Sequence, residues 1–405
     1  MNTSVCVLTA KGAAAIASVA LAGPDAQTIL GKMFLKERGL PARADHHSVG
    51  TTQRRQDACV PLKAGAILHG LIADGDKIID EVLIGCEGKD RFVIHCHGNP
   101  LLVEQIVKLC QTHGAALTDA RQFQSQTYHL LSSNMIEAEA KLAMQTCATL
   151  SGIKIIANQL THGLLPLAKK WLESFDDSMS IQQLWAQCHQ VLRKTYRAKY
   201  LINCCKIVIV GPPNSGKSTL LNQLAGKDEV IVSDTAGTTR DWVHITCHIG
   251  PILADIYDTA GLDAMLRQQH EIENISQQMT HELVRSADMN IFVYDVTREE
   301  EAQQVLFSLG SLKAVIAANK CDLLTPRQRE NVYSKYVRLS AQSGDGIDEL
   351  TKAILMALKI ADFDDRTPVC FTDRQLLILR QILNTHDKLT AKKYIQKLLF
   401  GNKSV

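Results

Sequence analysis

The chain has almost no net charge: 44 Lys and Arg against 42 Asp and Glu leave a formal +2 at pH 7. That excludes the strong positive field by which some proteins find nucleic acid through charge alone, so any RNA contact must be made locally. There is also no apolar run of the roughly 20 residues that a membrane-spanning helix needs. The segment from Ala13 to Ala22 has the look of a signal-peptide core, yet only Lys11 precedes it as a basic residue, and it is read as part of the fold in a cytoplasmic protein. The twelve cysteines include no C-x-x-C pair and lie mostly in apolar runs, as Cys147 and Cys204-Cys205 do. They are therefore expected to be reduced, buried thiols, not a disulfide or zinc framework. Strand alternation would place His95 and His97 on one face, but no second ligand cluster answers them, and a metal site is not expected there.

What is present is a phosphate loop. Gly211-Pro-Pro-Asn-Ser-Gly-Lys-Ser218 follows the apolar run Ile207–Val210 and precedes a leucine-spaced segment with Leu220, Leu221 and Leu224. The pattern is G-x-x-x-x-G-K-[ST], in which backbone N–H groups of Gly211, Asn214, Ser215, Gly216 and Thr219 and a helix N-terminus surround phosphate oxygens. Lys217 would reach the β- and γ-phosphates, and Ser218 would bind Mg²⁺. Downstream, Asp258-Thr-Ala-Gly261 ends a second strand-like run, with Asp258 placed to hold Mg²⁺ as a Walker-B aspartate does. Asn319-Lys320-Cys-Asp322 follows a third run. The Asp322 carboxylate, an acceptor only, matches the two donors on the Watson–Crick edge of guanine, and adenine would leave it unpaired. The nucleotide is thus read as GTP or GDP. Ser340 and Ala341 supply a loop whose backbone can reach the guanine carbonyl.

At 405 residues, 46% hydrophobic and 21% charged, the chain should fold into two or three domains. Residues 1–118 alternate short strand-like runs with turns at Ala22–Asp25 and Asp74–Asp76, and Pro100 to His113 reads as a helix with Leu102, Ile106, Leu109 and Cys110 on one face. The expectation is an α+β domain. Residues 119–203 turn helical, with one stripe through Leu131, Met135, Ala138 and Leu142, another through Ile181, Leu184, Cys188 and Leu192, and a break at Gly163 and Pro166. Residues 204–361 alternate strands with helices as a Ras-like α/β P-loop GTPase domain would. Helical character returns over 362–405. The fold class is therefore multidomain: an α+β N-terminal domain, an α-helical bundle built from 119–203 and 362–405, and an α/β GTPase domain inserted between them. Arg193, Lys194, Arg197, Lys199 and Lys206 are either a solvated basic face or a contact for RNA phosphates.

On these motifs the chain resembles the tRNA-modification GTPase family MnmE, also called TrmE, over nearly its full length. Gly211 to Leu224, Ile231-Val-Ser-Asp-Thr-Ala-Gly-Thr-Thr-Arg-Asp241 and Asp258 to Leu262 carry the sharpest likeness. Fainter echoes are Gly12 to Gly23, the turn His95-Cys-His-Gly-Asn-Pro100 and the helix start Asn134 to Ala140. The resemblance implies a folate-binding, dimerising N-terminal domain, tRNA as substrate, and the flavin-dependent subunit MnmG as partner in modifying wobble uridine at carbon 5. It implies Mg²⁺ on Ser218, Asp258 and Thr239, with Thr238 as the alternative to Thr239, and K⁺ on Asn214. Leu262 stands where Ras-like enzymes carry the water-orienting glutamine, and the family's pattern moves that task to Glu273, with Glu271 as its rival. Two departures weigh against full family chemistry. The chain closes on Leu398-Leu-Phe-Gly-Asn-Lys-Ser-Val405 with no cysteine there, and Ala20 and Leu117–Ala120 replace the family's arginine and P-G-E-F-T stretch. Folate binding is accordingly doubtful.

Overall fold

The computed structural model describes residues 3–9, 12–36, 64–88, 90–175, 178–226, 244–259, 282–298, 313–325, 327–328, 332 and 336–401. It divides into two compact units, Met1–Leu131 and Ser132–Val405.

The first unit is organised by a period of two. Along β5 (Lys77–Gly88) Asp80, Val82, Ile84 and Cys86 are buried while Glu81, Leu83 and Glu87 are exposed, the alternation of a sheet with one covered face. β1 (Ser4–Val7), β2 (Ile16–Ala22), β3 (Phe34–Lys36), β4 (Ile67–Asp74), β6 (Arg91–His97) and β7 (Ala116–Leu117) complete seven strands in the order β3-β4-β5-β6-β2-β1-β7. The helices α1 (Ala26–Met33) and α2 (Pro100–Thr112) bring Ile29, Met33, Ile106 and Cys110 onto the covered face against Val19, Leu21, Ile84 and Ile94. α2 starts where it does because Asn99 accepts from Leu101 N at 2.9 Å and Pro100 needs no N–H partner in the first turn. α3 (Ala120–Leu131) lays Phe123 over Cys6 and Ala20 on the opposite face. On that face His95 lies 2.9 Å from Ser18 Oγ, while at the end of β6 His97 lies 2.7 Å from the buried Asp80 carboxylate of β5. Among the described residues no group of three or more His, Cys, Asp and Glu could hold a metal.

In the second unit the helices α4 (Met135–Thr146), α5 (Leu150–Asn158), α6 (Leu164–Ser174) and α7 (Ile181–Ile202) precede a sheet, and α10 (Asp373–Leu383) and α11 (Lys388–Phe400) follow it. Both helical segments share one core, in which Ile136, Leu164, Trp171, Phe175, Leu184 and Cys188 meet Ile378, Leu379, Ile395 and Leu398. The sheet consists of β8 (Cys205–Val210), β9 (His244–Ile249), β10 (Ile252–Asp258), β11 (Met289–Asp295), β12 (Ala314–Asn319) and β13 (Val337–Arg338), in the order β13-β12-β11-β8-β10-β9. All pairs are parallel except β9 with β10. The inner strands β8 and β11 are buried on both faces, as a parallel sheet covered twice requires, while β9 and β10 alternate. Ile207, Ile209, Ile291 and Val293 pack with α8 (Lys217–Ala225) and α9 (Ile347–Ala357), while Val208, Val210, Phe292 and Tyr294 pack with Leu283 and Val284.

Three expectations need correction. The stripe through Leu131, Met135, Ala138 and Leu142 is not one helix face: α3 ends at Leu131, which is 59% exposed, and α4 begins again behind Asn134. The Asn134 side chain accepts from Glu137 N at 2.9 Å, and the buried face then carries Ile136, Ala138, Glu139 and Ala140. Pro166 does not interrupt a helix. Gly163 does, and Pro166 sits in the first turn of α6, where its missing N–H costs nothing. Finally, Cys204 is exposed and Cys147 half-buried, although burial pushes the Cys110 and Cys188 thiols up to about 12.

Candidate nucleotide site

β8 has β10 on one side and β11 on the other, and the crevice beyond the carboxyl end of such a strand is where doubly wound sheets receive ligands. The chain leaves β8 through Gly211, whose φ of 153° and 1.9 Å approach of a notional Cβ to Val293 O exclude any side chain. Gly216 is held as tightly: φ is 93°, and a Cβ would stand 2.2 Å from Asn319 Nδ2. Between them Asn214 is exposed in the left-handed region at φ 61°, which asparagine tolerates. α8 begins at Lys217 directly behind Gly216, so the N–H groups of its first turn and its positive dipole end face the loop. Lys217 is 6% exposed, and its Nζ donates to Gly211 O and Pro212 O at 2.9 Å each, arching over the loop.

Next to it Ser218 Oγ donates to Asp258 Oδ2 at 2.5 Å, while Thr259 Oγ1 anchors the strand end to Ile209 O at 3.1 Å. A hydroxyl from a helix start and a carboxylate from a strand end thus converge as hard oxygen donors, the chemistry a divalent cation such as Mg²⁺ takes. Thr219 follows on the exposed side of the helix. Ser215 carries a cost: its Oγ is buried with no hydrogen-bond partner among the described residues. Ser215→Ala should therefore raise stability by about 1 kcal/mol, read as a higher midpoint of thermal unfolding. A lower midpoint would show that the hydroxyl is bonded after all.

One buried side chain links the two halves of the site. Asn319 donates through Nδ2 to Ser215 O at 2.8 Å, and its Oδ1 accepts from Lys320 N at 2.8 Å and Ala341 N at 2.9 Å. It thereby joins the phosphate loop, the Asn319–Asp322 turn and the Ser340–Ala341 loop. Asp322 lies exposed on a 3₁₀ turn, Cys321–Leu323, held to Leu339 O by Cys321 N at 3.1 Å. Ser340 is fixed by its N–H to Asp345 O at 2.9 Å. Lys320 takes φ 67°, and its Nζ reaches Asp295 Oδ2 at 2.7 Å. Sequence reasoning missed Asp295. The signal was an acidic residue ending the apolar run Ile291–Tyr294, as Asp258 ends its own.

Thr238, Thr239, Gly261, Glu271 and Glu273 lie outside the described residues. Several of the basic residues of α7 and β8 already have partners within the chain. Arg197 Nε donates to Lys359 O, Lys199 pairs with Asp288 at 3.0 Å, and Lys206 Nζ bonds Ser286 Oγ at 2.8 Å. These three fasten α7 and β8 to neighbouring segments, while Arg193 is exposed.

A family described as 50S ribosome-binding GTPase matches residues 206–320. Over a much longer span the chain is similar to tRNA modification GTPase MnmE of Thermotoga petrophila, 27% identical over 391 residues, with 87% of this chain and 82% of that protein covered. The same protein of Koribacter versatilis is 29% identical over 392 residues, with 87% and 81% covered. That of Endomicrobium trichonymphae is 28% identical over 436 residues, covering 96% and 90%. The chain carries a GTPase domain related to that of MnmE. Its MnmE-like region reaches well beyond residues 206–320, into the α+β unit and the helical bundle.

Proposed function

We propose that this GTP-binding and GTP-hydrolysing protein acts in the modification of wobble uridine at carbon 5 in tRNA, as a cytoplasmic homodimer working with a flavoprotein of the MnmG type. The observation that carries the reading is the extent of similarity: MnmE-like sequence covers 87–96% of this chain, not the GTPase domain alone. The reading assigns the N-terminal domain to 1–118, the helical domain to 119–203 and 362–405, and the GTPase domain to 204–361. No helix among the described residues is long and apolar enough to cross a membrane.

In the hydrolysis itself, water attacks the γ-phosphorus, the bond to the β-phosphate oxygen breaks, and GDP and phosphate leave. Lys217 and the N–H groups of the phosphate loop stabilise charge on the phosphoryl oxygens, working mainly by position and electrostatics. Ser218 and Asp258 fit a Mg²⁺ site, with Thr239, or Thr238 in its place, as the further ligand. Mg²⁺ held there would neutralise charge on the phosphates. Asn214 offers an exposed side-chain oxygen for K⁺. Glu273, or Glu271, would orient the water. Asn319, Lys320, Asp322, Ser340 and Ala341 would bind guanine.

Folate is a different case. Ala20, standing where the family carries arginine, lines a cleft of about 230 Å³ with Arg91, Phe123, Gln124 and Tyr128. Sites for drug-sized ligands run to roughly 300–1,000 Å³. Arg91, the one cation among the described residues that line it, is already paired with Glu87 at 2.7 Å. The described lining is a poor match for a pterin with a glutamate tail, and no one-carbon step is assigned to this chain. That misfit, with the 50S ribosome-binding GTPase match over residues 206–320, favours one alternative: a regulatory GTPase of ribosome assembly or signalling.

Nucleoside mass spectrometry of tRNA from cells lacking this protein separates the two. Carbon-5-modified wobble uridine should fall at least tenfold and return with the intact chain but not with Lys217→Ala. An unchanged wobble nucleoside, with large-subunit precursors accumulating, would replace this reading with the ribosomal one.

A further inference from the structure

No motif announced the Asp295–Lys320 ion pair at the nucleotide site, and it joins the ends of two neighbouring strands. Asp295 is the last residue of β11 and stands in register with Asn319, the last residue of β12. Its carboxylate is 12% exposed and fully engaged: Oδ2 accepts from Lys320 Nζ at 2.7 Å, and Oδ1 accepts from Thr297 N at 2.9 Å and Thr297 Oγ1 at 2.7 Å. Burial pushes this carboxyl up, but the Lys320 ammonium and the Thr297 hydrogen bonds outweigh burial and hold it below its ordinary range. The sign follows directly. The carboxylate is ionised throughout the neutral range, and the pair is lost only as pH falls through the lowered value.

Lys320 is the less secure partner without that pair. Its backbone is at φ 67°, a strained position for a β-carbon residue, and its long stem is 32% exposed. Lys320 stands between Asn319 and the turn that bears Asp322, so where its stem is held bears on the space beside both. Asp295 draws the ammonium to the end of β11.

We infer that Asp295 is a positioning residue for the base: it holds Lys320 so that the methylene stem is already laid where a guanine face would rest. The inference deepens the guanine-nucleotide reading and rests on it. Asp295 does not touch the nucleotide in this scheme. It acts through Lys320, lowering the ordering that binding would otherwise demand.

The test compares Asp295→Asn, which keeps the shape and the Thr297 bonds but removes the charge, with the intact chain. Two probes are used, GDP and inorganic pyrophosphate, the latter reporting the phosphate loop alone. GDP should bind about tenfold more weakly while pyrophosphate affinity stays within twofold, a loss in the range measured for coupled contacts. Asp295→Glu should recover part of the GDP affinity, and adding Lys320→Met to Asp295→Asn should cost little more. Equal weakening of both probes would overturn the inference by making Asp295 a support for the sheet, as would GDP affinity left unchanged. If the intact chain binds pyrophosphate but prefers ADP to GDP, it is the guanine reading that fails, and that result is visible before any variant is made.

Discussion

Lys217→Ala should lower the turnover number for GTP by about 10²–10³, the loss seen when one preorganised donor to a developing charge is removed. Among residues 211–219 Lys217 is the single cation. Its Nζ already lies across the loop, bonded to Gly211 O and Pro212 O, so the charge is in place before a phosphate arrives. The N-terminus of α8 brings only a partial charge to the same oxygens. Because the γ-phosphoryl oxygens are what the ammonium would stabilise in the transition state, the loss should fall on kcat and kcat/KM together and not on KM alone. Lys217→Arg should not rescue it: Lys217 is 6% exposed with its ammonium set on Gly211 O and Pro212 O, and a bulkier planar guanidinium does not reproduce that point charge. Steady-state turnover with a thermal midpoint as control decides it. A loss under tenfold in a folded variant would mean that another cation serves the phosphates.

How much of this could be read beforehand depended on how local the physics was. The phosphate loop was legible because its residue types are demanded by its own backbone: Gly211 and Gly216 sit at positive φ within van der Waals contact of other segments, and no other residue fits. Asn319 was legible as part of a guanine motif. Its bonding to both Ser215 and Ala341 was not, since that depends on three loops meeting. Asp295 was missed for the same reason, because its meaning comes from the register of β11 on β12, a pairing no local window contains. The basic residues of α7 show the limit from the other side. Their charge is visible in the sequence, but the acidic partners of Lys199 and Arg197 are 89 and 165 residues away, at Asp288 and Asp362. The break between α3 and α4 was different: Asn134 followed by Glu137 is a local cap signal, and the resemblance already starts a helix at Asn134, while a helical spacing through Leu131 and Met135 runs across it by accident.

Glu139→Ala should destabilise the helical bundle by about 3–5 kcal/mol, the cost of stripping one partner from a buried ion pair. Glu139 is 8% exposed in the middle of α4 and receives Arg374 Nε at 2.5 Å, Arg374 Nη2 at 2.8 Å, Gln375 Nε2 at 2.7 Å and Thr372 Oγ1 at 3.2 Å. Arg374 also donates to Lys397 O and Leu398 O at 2.9 and 3.1 Å, satisfying carbonyls in the last turn of α11. One carboxylate therefore ties α4 to the start of α10 and, through Arg374, to the end of α11, across 235 residues of chain. Alanine would leave the guanidinium, Gln375 and Thr372 short of an acceptor at once. The penalty is for the unpaired charge, not a measure of what the pair contributes, so replacing both partners should behave otherwise: Glu139→Met with Arg374→Leu should recover at least half of the loss. Trp171, fully buried in that bundle, gives a fluorescence signal for urea unfolding. A cost below about 1 kcal/mol would show the pair to be screened like a surface salt bridge. In that case the apolar core that Ile136 shares with Leu379 and Leu398 would be what holds the two halves of the bundle together.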